Sequence, residues 1–161
     1  MRKDVKEQWE RADVYLKHIK RIIQLNAGSI INVEIASEYL DTNNATDMVV
    51  SVSGGAKIGV RVRKTNYRDF TIRAYCQGYK TEIDKIKEGF PDFYCYAWVE
   101  NWVNKMVAWV FLDMKKFRES GLLDEYSDKI KMNKDGITGF IYIPVAKLEK
   151  AGCVVSKWGN V

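Results

Sequence analysis

Three short segments alternate in a way that fixes their geometry. Met48, Val50 and Val52 occupy one parity, as do Ile58, Val60 and Val62, and then Phe70, Ile72 and Ala74. A period of two is the signature of a strand with one face on a core. Strands are therefore predicted at 48–53, 57–63 and 69–75, the first two joined by a Gly54-Gly55 turn. Consecutive strands of this kind predict a meander. The opposite parity carries Asp47, Ser51, Arg61, Arg63, Thr71 and Arg73, so the second face is polar and mostly basic.

The elements around this unit alternate between helix and strand. Val5, Trp9, Ala12, Leu16, Ile19 and Ile23 fall three and four residues apart, which predicts an amphipathic helix over 3–25. The segment Asn26-Ala27-Gly28 supplies its stop. A strand is expected over 30–39, then a polar turn at Asp41 to Ala45. Thr81 with Asp84 three residues on resembles a capping box and predicts a helix over 81–88. Aromatic, apolar runs at 93–99 and 106–113, with a turn at 101–105, read as an antiparallel pair placed centrally in a sheet. A helix at 114–120, a polar excursion at 121–138 with a turn at Asn133 to Gly136, a strand at 140–145 and a helix at 145–151 complete the chain. The fold class expected is α/β: a mixed sheet flanked by helices, in one domain over 1–161. Residues 3–113 would form the core and 114–161 a small C-terminal appendage.

Composition narrows the setting. A chain of 161 residues, 47% apolar and 29% charged, is long enough for a real core. No apolar run approaches the roughly 20 residues of a membrane span. The first residues, Met1-Arg-Lys-Asp-Val-Lys-Glu7, lead into no apolar stretch of the secretory type. Cys76, Cys95 and Cys153 are far apart and odd in number, which argues against a disulfide framework or a zinc site and for thiols in a reducing cytoplasm. His18, the one histidine, lies beside the helix stripe and reads as a boundary residue. A net charge of +5 favours a polyanionic partner.

An acid opening one strand, followed by charged residues at i and i+2 on the next, resembles the PD-(D/E)XK, or restriction-endonuclease-like, nuclease superfamily. Its core is a helix, a meander of strands, a second helix and another strand. Resemblance covers about residues 33–113. Asp47 in Ala45-Thr-Asp-Met-Val-Val50 matches the first acid, and Arg61-Val62-Arg63 stands where the family has Glu-x-Lys. The stretches Val33 to Asp41, Ile58 to Lys64, Phe70 to Arg73 and Thr81-Glu82 are similar to uncharacterised phage and prophage proteins of this type. Holliday-junction resolvases share the core and often pair, so a homodimer is a further expectation.

The resemblance implies a chemistry and two outcomes. In the family, carboxylates hold Mg²⁺, which activates water against a phosphodiester. Arg61 cannot replace a carboxylate, and Arg63 stays protonated and cannot act as a base. An arginine about 4 Å from Asp47 would oppose a cation by roughly 4 kcal/mol at an effective dielectric of 20. Some members carry the second acid on the following helix, where this chain has Glu82; Glu38 and Asp41 are further carboxylates nearby. The first expectation is a metal-dependent DNA endonuclease or resolvase. Asp47 and Glu82 would hold Mg²⁺ or Mn²⁺, and Arg63 or Lys64 would stabilise phosphate charge. The alternative is a catalytically inert nuclease-fold protein. It would bind nucleic acid, DNA above all, through Arg61, Arg63, Lys64, Arg68 and Arg73, with Tyr67 and Tyr75 beside them, or it would bind a host protein. The plain reading of the same residues is an ion pair between Arg61 and Asp47 or Glu82. A small α/β interaction domain without nucleic acid is the third possibility.

Overall fold

The computed structural model describes residues 3–26, 32–35, 48–51, 55–64, 68–100 and 105–161. Side chains before residue 14, those of 32–35 and 48–51, and that of Lys64 are outside the description. Several expectations therefore lie outside the described residues: Glu38, Asp41, Asp47, Tyr67, the helix stop at Ala27-Gly28 and the turn at 101–104.

The chain is α/β, with one mixed sheet, one antiparallel sheet and flanking helices. Helix α1 (Lys3–Asn26) leads into strands β1 (Asn32–Ile35), β2 (Met48–Ser51), β3 (Ala56–Lys64) and β4 (Asp69–Cys76). Helix α2 (Glu82–Lys87), strands β5 (Phe93–Val99) and β6 (Met106–Asp113), and helices α3 (Met114–Glu119) and α4 (Leu122–Ser127) follow. Last come β7 (Lys131–Met132), β8 (Thr138–Pro144), α5 (Val145–Lys150) and β9 (Val154–Trp158). Six strands form the larger sheet in the order β1-β2-β3-β5-β6-β9, and three form the smaller in the order β4-β8-β7. Among the described residues only β3 and β5 pair in parallel, and their connection runs through β4 and α2. Parallel neighbours require such a crossover.

Strand β5 organises both layers. Its sequence, Phe-Tyr-Cys-Tyr-Ala-Trp-Val, leaves no polar face, and residues 94–99 are all buried. A strand apolar on both sides belongs in the middle of a covered sheet. On one side Cys95 and Val99 meet Tyr15, Ile19 and Ile23 of α1, with Ile58 and Phe111. On the other, Tyr94, Tyr96 and Trp98 meet Phe70 and Ile72 of β4 and Ile141 and Ile143 of β8. Phe70 stands edge-on to Tyr94, Tyr96 and Phe117, with ring centroids 5.2, 5.5 and 5.7 Å away. The smaller sheet thus lids the larger.

Here the meander expectation is corrected. β2 and β3 do pair as an antiparallel hairpin, but β4 does not continue the sheet. The far edge of β3 is taken by β5, from Ile58 opposite Phe93 to Lys64 opposite Val99. Adjacency in sequence favours a hairpin only locally. Burying both faces of β5 removes far more apolar surface from water, so β4 is displaced onto its aromatic face.

Residues 114–161, expected as an appendage, contribute to both sheets. β8 is the central strand of the smaller one, and β9 pairs with β6. The polar excursion at 121–138 contains α4 and β7, and β9 was not foreseen. The turn at Asn133 to Gly136 is present, with the Asp135 carboxylate accepting from the backbone of Ile137 and Thr138 at 3.0 and 3.1 Å. The Ser156 hydroxyl donates to Asn26, tying β9 to the end of α1. The three cysteines form no disulfide. Among the described residues no helix is long and apolar enough to cross a membrane.

Two outcomes test this architecture. Phe70→Ala should cost about 3–5 kcal/mol, the range for emptying a buried aromatic site, measured by urea denaturation. Deleting residues 114–161 should abolish the cooperative thermal transition seen by circular dichroism; a fragment 3–113 that melts cooperatively would refute the shared-sheet account.

Candidate nucleic-acid interface

Alternation along β3 sends Ile58, Val60 and Val62 toward α1 and Arg61 and Arg63 toward the other layer. Arg61 lies opposite Tyr96, and Arg63 opposite Trp98. Because β4 covers that side, the arginine side of the strand is partly interior rather than an open basic surface. Arg61 and Arg63 are both half-buried.

A buried charge must be paired and hydrogen-bonded, and Arg61 is. Its Nη2 donates to Glu82 Oε2 at 2.7 Å, and its Nη1 donates to the Thr71 carbonyl at 3.1 Å. The carboxylate is held at the start of α2. Thr81 caps that helix, with its hydroxyl accepting from the Asp84 backbone N–H and the Asp84 side chain returning to the Thr81 backbone N–H. This is the anticipated capping box, and it sets Glu82 facing inward, 8% exposed. Glu82 Oε2 also accepts the Arg73 backbone N–H at 2.9 Å, and Oε1 accepts the Tyr94 hydroxyl at 2.5 Å. One carboxylate so joins β3, β4, α2 and β5.

These contacts bear on the expectation that Glu82 holds a metal. Both of its oxygens are committed, to a guanidinium, a backbone amide and a phenol, with the positive charge at 2.7 Å. A hard divalent cation needs oxygen ligands free of such competition. The ion pair of the plain reading is present, and in this arrangement Glu82 is engaged by Arg61, Arg73 and Tyr94. Among the described residues no group of three or more His, Cys, Asp and Glu side chains is arranged to hold a metal ion.

The remaining arginines are dispersed. Arg63 sits near enough to Asp69 to act on its charge, as does Lys131. Burial pushes the Asp69 carboxyl above its usual range, opposed by the Thr71 hydroxyl and these cations. Arg68 is exposed and lines a cavity of about 370 Å³ with Trp98, Val107, Ala108 and residues 159–161. Arg73 is exposed, and its guanidinium lies over the Phe140 ring at 5.7 Å. Lys64 is placed only by its backbone, opposite Val99. Of the residues singled out in the sequence, the fold brings Arg61, Glu82 and the backbone of Arg73 together.

Sequence reasoning gave no site role to Tyr94, Asp69, Lys131, Phe140 or Tyr142. Tyr94 is hidden in an apolar run, where a hydroxyl carries no pattern of its own. Phe140 and Tyr142 alternate with Ile141 and Ile143, a period-two signal that was visible. Trp98 Nε1, buried on the same side of β5, has no hydrogen-bond partner among the described residues.

Compared with known protein families, curated proteins and solved structures, the chain matches none.

Glu82→Ala should destabilise the protein by about 3 kcal/mol, the lower end for orphaning one member of a buried ion pair, because Arg61 keeps some exposure. Replacing Arg61 and Glu82 together by Met and Leu should recover much of that loss in the same denaturation experiment. The capping box has a pH signature. Hydrogen bonds from Thr81 hold the Asp84 carboxyl below the usual carboxylate range. A depressed folded-state value stabilises above the unfolded value and loses that stabilisation as the pH falls through the folded one. Thr81→Ala should therefore cost about 1 kcal/mol at neutral pH, and the gap to the parent should narrow in acid. Asp69 acts in the opposite sense, because its raised value favours the protonated form in the folded chain.

Proposed function

We propose that this chain is a restriction-endonuclease-like protein that binds nucleic acid, DNA in the first instance, and does not cleave it. One observation carries the reading: the Arg61 guanidinium stands on β3 where the nuclease motif would have a carboxylate, and it is paired at 2.7 Å with the acid that would otherwise complete a metal site. The substitution turns a cation-binding position into a structural cross-link.

Element order supports the fold part of the proposal. Helix α1, antiparallel strands β1 to β3, helix α2 and then β5 beside β3 follow the sequence helix, meander, helix, strand. Charge supports the ligand. The chain carries +5, and Arg63, Arg68, Arg73 and Lys131 lie on or beside the two sheets. Phosphate contacts of this type need no metal and give affinity without sequence information. Mg²⁺ or Mn²⁺ would belong to a cleaving form, built on Asp47 with ligands other than Glu82.

Fluorescence anisotropy on labelled oligonucleotides, repeated across a salt series, tests the binding. The apparent association constant should fall log-linearly with salt, with a slope of about 0.7–0.9 for each phosphate contact. No detectable binding at low salt would remove the nucleic-acid reading. Incubating single-stranded, duplex and branched DNA with Mg²⁺ or Mn²⁺ tests the inertness. Cleavage by the parent that disappears in Asp47→Asn would restore the nuclease.

A further inference from the structure

The smaller sheet carries a second cationic surface, and it has rings in it. β8 is the central strand, with Ile141 and Ile143 turned to the core. Phe140 and Tyr142 occupy the opposite face, both half-buried. In register, Phe140 is flanked by Arg73 of β4 on one side and Lys131 of β7 on the other. The Arg73 guanidinium lies over the Phe140 ring at 5.7 Å, and the Lys131 ammonium over the Tyr142 ring at 5.5 Å. Both cations reside on exposed residues.

We propose that this face is a binding platform for an unstacked single strand of nucleic acid, with bases on Phe140 and Tyr142 and phosphates on Arg73 and Lys131. The proposal rests on the nucleic-acid reading above and narrows it. Geometry separates single strand from duplex. Two residues along a strand place the rings about 6.8 Å apart. Neighbouring bases of a duplex strand are separated by about 3.4 Å along the axis, so a paired strand cannot lay successive bases on successive rings. An extended single strand can. Strength decides the competition for the ring faces. An exposed cation over a ring contributes a factor of about two to five, and a base stacked on a ring about five- to a hundredfold. A base therefore displaces each cation from its ring, and the displaced cation is already beside the phosphate that follows. One cation stands to either side of Phe140, and Lys131 also has the Asp69 carboxylate within its electrostatic reach.

The experiment is anisotropy on the full chain with a fluorescein-labelled oligothymidine of about 12 nucleotides, within the roughly 4–16 that such platforms cover, beside a duplex of equal length. The single strand should bind more tightly. Phe140→Leu and Tyr142→Leu keep apolar volume and remove the ring; each should weaken the single strand by about five- to a hundredfold and leave the duplex unchanged. Ring variants that bind the single strand as the parent does, or a duplex bound as tightly as the single strand, would overturn the platform while leaving nucleic-acid binding standing. No binding of either probe would remove both. If a ring variant fails to fold, Arg73→Gln with Lys131→Gln decides, since both rings remain. That pair should lower the salt slope for oligothymidine by about 1.4, or 0.7 for each contact, and an unchanged slope would overturn the proposal.

Discussion

The demand that β5 be covered on both faces governs the rest of this structure. Seven residues without a polar side cannot lie at an edge or face water. α1 covers one face and the smaller sheet the other. With β5 between β3 and β6, the β3 face beside it comes under the same cover. A charged residue on that face then has few options. Arg61 is held there by Glu82 and the Thr71 carbonyl, and Glu82 in turn gathers Arg73 and Tyr94. The ion pair is thus a result of the packing of an apolar strand. Pairs of this kind are seldom a net source of stability, yet they are costly to break from one side.

Local patterns were legible, and long-range pairing was not. The period-two runs located β3 and β4, and the apolar runs β5 and β6, almost to the residue, and Thr81 with Asp84 announced the start of α2. Those signals are set by neighbours within a few positions. Which strand pairs with which depends on the summed burial of the whole layer. That is why β4 was expected beside β3 and is found across from it. β9 was missed because Val154–Trp158 has a mixed edge-strand composition, with Val155 and Trp158 exposed. The candidate site was legible in part. Arg61 and Glu82 were both singled out, and their pairing was weighed, but the Tyr94 hydroxyl comes from an apolar run and the Arg73 contribution is a backbone N–H, which no side-chain pattern marks.

The two basic surfaces differ in kind. On β3 the charge is partly buried, and Arg61 is spent on structure. On the smaller sheet the charge is exposed and rests on rings. A polyanion reaches the second without dismantling the fold, whereas drawing Arg61 outward would strand Glu82 among Tyr94 and the backbone of β4. The Arg73 guanidinium is exposed and that of Arg61 is committed, although the two were counted alike in the sequence.

The placement of β8 and β9 bears on how the chain is made. Both sheets receive a strand from beyond residue 137, so neither is complete until β8 and β9 have left the ribosome. Until then, β4 waits with its partner edge open, the core lacks Ile141 and Ile143, and β6 lacks its outer neighbour. Contacts between distant segments slow folding, and unpaired edges with bare apolar faces invite association. The nascent chain therefore passes through a vulnerable interval set by the topology, and its escape depends on residues 138–158 arriving.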